Sequence, residues 1–356
     1  MIAGMQPVFD GHNDALTREG APPLDRPRPG HHLDLQRMRA GGMRGGIFAV
    51  FVSSSQEPSP ERHEHAPDAD GVLRFPLAAP VGQAEACARA SAAAGRLLAL
   101  ERAGRVRLAR SIADLDVARE AGTDAPPAAV LHLEGAEPID PQLEALELWY
   151  AAGLRSLGPV WSRPNAFGHG VPFEFPGSPD TGPGLTDAGR ALVRRCAALG
   201  ILVDLSHLNQ AGFWDVARLD PGPLVASHSG AHALCPATRN LTDVQLDAIA
   251  ASDGLVGIVF ASPFLRADFA DSADTPLQAI VAHVRYVADR IGAEHVALGS
   301  DFDGATIPAE LGDVAGLPRL LDALAGAGFD AEELEAIAWG NWRRVLDAWW
   351  GRRVSA

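Results

Sequence analysis

The sequence contains no lysine, so every one of its 30 basic residues is an arginine. That absence excludes Schiff-base lysines, a phosphate-loop lysine and a carbamylated lysine bridging two metals. Cysteine is also scarce: Cys87, Cys196 and Cys235 are too few and too scattered for a disulfide framework or a thiolate zinc site. Each reads as a small buried hydrophobe in a reducing compartment. No apolar run approaches the ~20 residues of a membrane span. The opening MIAGMQPVFDGHND turns polar too soon for a signal-peptide core, and the closing RRVLDAWWGRRVSA lacks a lipid-anchor tail. The expected location is the cytoplasm. With a formal charge of −15 and no basic stretch, neither nucleic acid nor an anionic membrane is expected as the principal ligand.

The 356 residues, 47% hydrophobic and 21% charged, have the composition of a soluble globular protein. Short apolar or β-branched runs alternate with helical patterns, and eight candidate strands stand out: 7–14, 45–52, 128–135, 154–161, 201–207, 223–229, 255–261 and 295–304. Eight strands in this rhythm predict an α/β fold, a (β/α)₈ TIM barrel of metal-dependent hydrolase type. No composition shift marks a linker, so residues 1–356 read as a single barrel domain. Helices are expected near 81–104, after Ser111, after Thr186 as far as Gly200, and near 242–251, 276–291 and 330–349. Two long irregular stretches, 53–71 and 163–184, follow strands two and four. They are candidate lids over the carboxyl-end face, with simple surface insertion as the bland alternative.

Metal-binding residue types gather at the carboxyl ends of the candidate strands: His12 and Asp14, Glu134, His207, His228 and Asp301. Charged and imidazole groups at the end of a buried strand cost desolvation unless metals or hydrogen bonds satisfy them. A lone strand-end histidine is most often a hydrogen-bonded core residue. Three of them with three carboxylates point instead to metal. His12 and Asp14 at i and i+2 share one side of a strand, and the same alternation carries Val203 and Leu205 to His207, and Leu224 and Ala226 to His228. Imidazole favours zinc-type ions, with manganese, cobalt or iron as substitutes. The donor count suggests two zinc ions, with His12, Asp14 and Glu134 around one, Glu134, His207 and His228 around the other, and Glu134 as the bridge. Three ligands per ion leave a catalytic position open, and two ions roughly 3.5 to 4 Å apart could share and ionise a water.

The His-x-Asp of FDGHNDALTR, Glu134 in HLEGAEPI, His207 in VDLSH, His228 in ASHSGAHAL and Asp301 in GSDFDG together resemble the membrane (renal) dipeptidase family of the amidohydrolase superfamily. The resemblance runs in order from about residue 8 to 304. It implies a barrel with a glutamate-bridged binuclear zinc site that hydrolyses small dipeptides by metal-activated hydroxide attack, often tolerating a carboxyl-terminal D-residue. It also implies that His12, Asp14, Glu134, His207 and His228 are metal ligands and that Asp301 handles the proton of the attacking water. Asp303 has the same strand parity as Asp301 and is the alternative; the family motif favours the first carboxylate of Asp-Phe-Asp. Arg239 in TRNLTD resembles the family's receiver of the substrate carboxylate, a task suited to the guanidinium fork.

The chain departs from the family pattern after strand four. There a substrate-contacting histidine is usual, but the sequence reads GPVWSRPNAFGHG, with Trp161 in its place and His169 a few residues on. Either could contact substrate. The His63–Glu64–His65 cluster and the His31, His32 pair sit in solvated contexts and read as incidental, while His132 has the parity of a group supporting the ligands. Cys235 lacks a general-base context. The alternatives to dipeptide hydrolysis are another binuclear amidohydrolase acting on an N-acyl amino acid, lactam or cyclic amide, a metal-dependent sugar isomerase, or a binding protein derived from the enzyme. The expected partner is a small dipeptide; a homodimer is possible without any interface signature.

Overall fold

The structure is a computed structural model that describes residues 5–18, 20–54, 67–122 and 125–351. All eight expected strands form: β1 (Val8–Asn13), β2 (Met43–Phe51), β3 (Ala128–Glu134), β4 (Leu154–Gly158), β5 (Leu202–Val203), β6 (Val225–Ser229), β7 (Leu255–Ile258) and β8 (Val296–Leu298). They pair in parallel as two runs, β1 to β5 and β6 to β8. The β2–β3 register runs unbroken from Gly45 opposite Ala128 to Phe51 opposite Glu134. Two seams close the ring. Leu205 N–H donates to Val225 O at 2.8 Å between β5 and β6, and Asp14 N–H donates to Phe302 O at 2.8 Å between β1 and the chain beyond β8. Hence every strand end named in the sequence faces one rim.

Helices alternate with the strands. The longest are α2 (Gln83–Arg102), α5 (Asp187–Leu199) and α9 (Gln278–Ile291), preceded or separated by α1 (Leu35–Ala40), α3 (Ile112–Glu120), α4 (Glu144–Ala152), α6 (Gln210–Leu219), α7 (Asp243–Ala251) and α8 (Ser262–Leu265). Local chemistry sets their ends. Thr186 Oγ accepts from Gly189 N to open α5, and Gly200, at φ 70°, closes it in the left-handed conformation that glycine adopts without steric cost. Ser111 and Asp114 form a reciprocal capping box on α3.

The helix expected over 330–349 is interrupted. Ala331–Glu335 and Asn341–Trp350 are α-helical, but Ala336–Gly340 between them is a π turn. Here tertiary packing overrides propensity: Trp339 and Trp342 both pack on Phe9, each with ring centroids 5.7 Å away. Trp342 Nε1 donates to Leu298 O at 3.0 Å, fixing the last helix under β8. The main apolar core is a cluster reaching from Val8 to Trp349, with a smaller one around Cys235, Ala237 and Phe269. Each fully buried aliphatic side chain in it contributes about 1.5–3 kcal/mol.

Of the first long loop, residues 55–66 lie outside the described residues, and with them the His63–Glu64–His65 cluster. The chain that follows pairs with the second long loop: Leu73 lies opposite Phe175 and Arg74 opposite Glu174 in an antiparallel two-strand ribbon. That ribbon stands over the rim and contributes Leu73, Phe75 and Phe173 to a cavity above the strand ends. No helix among the described residues is long and apolar enough to cross a membrane.

Candidate metal centre and its cavity

The floor of a cavity of about 920 Å³ is formed by Asp14, Glu134, His207, His228 and Asp301. Glu134, at the last position of β3, turns its two oxygens in different directions. Oε1 lies 2.9 Å from His207 Nε2 and 3.6 Å from His228 Nε2. Oε2 lies 3.6 Å from His12 Nε2, which in turn is 3.7 Å from Asp14 Oδ2. Contacts of 3.6–3.7 Å are too long for hydrogen bonds. They suit donor atoms that converge on a common ion.

The residues fit metal on a second count. His12 is fully buried, yet neither of its ring nitrogens has a hydrogen-bond partner among the described residues. A buried imidazole without partners costs stability, and a cation facing Nε2 removes part of that cost. His207 and His228 point their Nε2 atoms toward each other at 3.1 Å. Burial first, and the neighbouring Arg239 and histidines next, push both well below the usual imidazole range, leaving neutral rings with a lone pair to offer. Among the described residues three donor groups result: Glu134 with His207 and His228, His12 with Asp14 and Asp301, and His12 with Asp204 and His228.

Buried hydrogen bonds aim these rings. Ser227 Oγ donates to Asp204 Oδ2 at 2.5 Å and therefore accepts from His228 Nδ1–H at 2.8 Å. This chain sets the tautomer that leaves Nε2 bare. Asp204 is itself held by the Ser227 and Ser206 backbone N–H groups. Ser162 Oγ lies 2.8 Å from His207 Nδ1 and plays the matching part. His132, buried beside His12 at a ring separation of 5.7 Å, bonds Ser156 Oγ and supports the floor rather than lining it.

Three aspects of the sequence reading need correction. His207 does not inherit its direction from strand alternation, because β5 ends at Val203 and His207 is in the left-handed region at φ 67°. A turn and the Ser162 contact aim it instead. Likewise β8 ends at Leu298, and Asp301 (φ 61°) and Asp303 (φ 66°) stand in a tight turn where strand parity has no meaning. Left-handed non-glycine residues of this kind concentrate at functional sites. The two aspartates are also not equivalent. Asp303 accepts from Arg28 Nη1 at 2.9 Å and from His32 N at 2.6 Å, so its carboxylate is engaged. Asp301 instead faces Asp14, and burial together with the Asp14 charge pushes its carboxyl well above the usual range. Gly304 leaves room for both carboxylates, since a Cβ there would fall on Asp301 Oδ1 and Asp14 Oδ2.

Trp161 stands in the cavity wall, its ring 5.6 Å from that of His207 and 4.8 Å from that of Phe51. His169 is not brought to the wall; its Nδ1 sits 3.3 Å from Gly184 O. Arg239 is buried behind His228, donating to His228 O at 2.8 Å and to Ser229 Oγ at 2.7 Å, with its Nε unpartnered among the described residues. Burial lowers its pKa to about 10, still fully cationic near neutrality. Cys235 is buried and its thiol is pushed up to about 12, which rules out a thiolate nucleophile.

The sequence matches the family described as membrane dipeptidase (peptidase family M19) over residues 2–350. The chain belongs to the membrane dipeptidase family. It is 46% identical to a metallopeptidase from Rhodobacter sphaeroides solved with a phosphinate mimic of the dipeptide L-Ala-D-Ala; the match covers 97% of this chain and 100% of that one, with a TM-score of 0.90. It is 47% identical to the metallopeptidase dipeptidase AC of family M19, over 98% of this chain and 100% of that one, with a TM-score of 0.88. A Klebsiella pneumoniae relative, described as an uncharacterized protein in the pqqA 5′ region, is 53% identical over 70% of this chain and 90% of its own length. As a family M19 member the chain is a metallo-dipeptidase, a peptide bond hydrolase. What sequence reasoning missed in this dipeptidase site is its basic side: Arg18, at the end of the FDGHNDALTR segment, and Arg89 and Arg96 of α2 also line the cavity.

Proposed function

We propose that the enzyme is a zinc-dependent dipeptidase with two zinc ions per chain, acting on small dipeptides that include those with a carboxyl-terminal D-residue. The observation that carries this reading is the division of Glu134, with Oε1 toward His207 and His228 and Oε2 toward His12. His12, Asp14 and Glu134 would hold one ion, and Glu134, His207 and His228 the other. When bound, such ions polarise a scissile carbonyl and lower the pKa of a water.

The remaining work falls to the chain's own side chains. Arg239, with its unpartnered Nε, receives the substrate carboxylate and sets the peptide bond over the floor. Asp301 takes the proton of the attacking water as the oxygen–carbon bond forms. It then passes that proton to the leaving nitrogen as the carbon–nitrogen bond breaks. Trp161, Phe51 and Phe173 exclude bulk water from the wall beside His207. The phosphinate mimic of L-Ala-D-Ala bound by the Rhodobacter sphaeroides relative supports the D-residue. The three free cysteines support a cytoplasmic location.

A matched panel of L,L, L,D and D,L dipeptides, offered to zinc-loaded and to chelated protein, tests the reading. Zinc-dependent cleavage that includes the L,D members is expected. No cleavage at full metal occupancy would move the substrate to another amide or a lactam.

A further inference from the structure

The cavity has one wall that the hydrolysis of a simple dipeptide does not use. On α2, Arg89, Ala92, Ala93 and Arg96 all line it, at the i, i+3, i+4, i+7 spacing of a single helix face. Arg18, on the loop after β1, stands on the same side. The two alanines between Arg89 and Arg96 leave open space between the guanidinium groups.

Arg18 and Arg96 differ from most other arginines described. Arg28, Arg37, Arg74, Arg110, Arg163 and Arg343 each face a carboxylate within 3.0 Å. Around Arg18 and Arg96, no carboxylate among the described residues comes within the 4.0 Å of an ion pair. Backbone carbonyls hold them instead: Arg96 Nη2 donates to Leu16 O at 2.5 Å, and Arg18 Nε donates to Asp303 O. Arg89 is tied to Ser53 O and Ser53 Oγ and is also paired with Glu85 at 3.4 Å, so it is not counted with them. Carbonyl oxygens fix a guanidinium in place but leave its charge uncompensated. In a protein of net charge −15, two positioned cations with no ion-pair partner among the described residues, beside the reacting floor, form a receptor for an anion.

We infer that this wall receives a side-chain carboxylate, so that the preferred substrates are dipeptides containing an aspartyl or glutamyl residue. The inference rests on the dipeptidase reading above. The backbone carboxylate goes to Arg239, behind His228; the second carboxylate goes to Arg18 and Arg96, where the guanidinium fork takes it in paired hydrogen bonds. The volume of about 920 Å³ leaves room for the longer side chain.

The test compares kcat/KM for isosteric pairs, Asp against Asn and Glu against Gln, placed at either position of an alanyl dipeptide, with zinc-loaded full-length enzyme. The acid should exceed its amide by about ten- to a hundredfold at one position at least, chiefly through KM. That ratio should fall with added salt and collapse toward one in Arg18→Gln and Arg96→Gln. Arg218→Gln, which removes a remote surface arginine paired with Asp215, should keep the ratio and so controls for net charge. Equal turnover of acid and amide by the wild type, or a ratio preserved in both variants, overturns the inference while leaving the dipeptidase reading intact. Failure to cleave any member overturns both.

Discussion

Ser227→Ala removes one hydroxyl that makes no contact with substrate and yet should weaken the metal centre. The hydroxyl is fully buried, accepting from His228 Nδ1 at 2.8 Å and donating to Asp204 Oδ2 at 2.5 Å, with Ser206 Oγ 3.4 Å away. Without it Asp204 Oδ1 keeps the Ser227 and Ser206 N–H groups at 2.8 and 3.1 Å, while Oδ2 loses its hydrogen bond. His228 Nδ1 has no other hydrogen-bond partner among the described residues, and the ring loses what fixes both its tautomer and its angle. Orphaning a buried donor costs about 1–3 kcal/mol. Loss of a group that orients a metal-binding histidine typically costs about 10–100-fold in metal affinity or activity. Denaturant unfolding of metal-free protein reads the first quantity, so that metal linkage does not mask it. Chelator competition reads the second. Ser206→Ala is the comparison: Ser206 Oγ accepts from the His228 backbone N at 3.2 Å and lies 3.4 Å from Ser227 Oγ but does not bond the ring, so its loss should cost stability and lower zinc affinity less than Ser227→Ala. A zinc affinity in Ser227→Ala within twofold of wild type would refute the claim that this hydrogen-bond chain sets the ligand.

The other predictions concern separate parts of the account. Asp301→Asn should keep its metal content and lose roughly 10²–10⁴-fold in kcat, the usual worth of a positioned proton carrier; metal analysis beside steady-state kinetics checks it, and full activity would remove the proton role. Arg239→Gln should raise KM for dipeptides about 10- to 150-fold, the equivalent of a charged hydrogen bond, with kcat affected less. His283 accepts from Ala231 N at 2.9 Å in a fully buried position, and burial lowers its pKa to about 4. Since the unfolded imidazole titrates near 6.5, the unfolded state binds the extra proton between those values. This contribution is therefore complete above pH 6.5 and is lost as pH falls toward 4, at most on the order of 3 kcal/mol. Unfolding free energies across that window should slope less in His283→Asn than in wild type, and identical slopes would contradict the burial argument.

Much of this was legible because barrel strands are short, doubly buried and punctuated by turns, so apolar runs mark them reliably. The polar residues at their ends were visible for the same reason, as exceptions in apolar strings. What periodicity could not reveal depends on contacts between distant residues. The directions of His207 and Asp301 come from left-handed turns, not from pleat alternation. The difference between Asp301 and Asp303 is created by Arg28, 275 positions away from the carboxylate it binds. The π turn at Ala336–Gly340 answers to packing against Phe9, which local propensity does not encode. Arg96 and Arg18, both exposed, carried no signal of a shared site, because only the closed barrel brings α2 and the loop after β1 to the same cavity.

The central claim is that Glu134 joins two ions in one hydrolytic site. The most direct measurement is a zinc titration of metal-free enzyme, following hydrolysis of L-Ala-D-Ala at each step. The account requires activity to rise from zero and level off at two equivalents per chain. A plateau at one equivalent would contradict the shared carboxylate, and no hydrolysis at any loading would contradict the substrate.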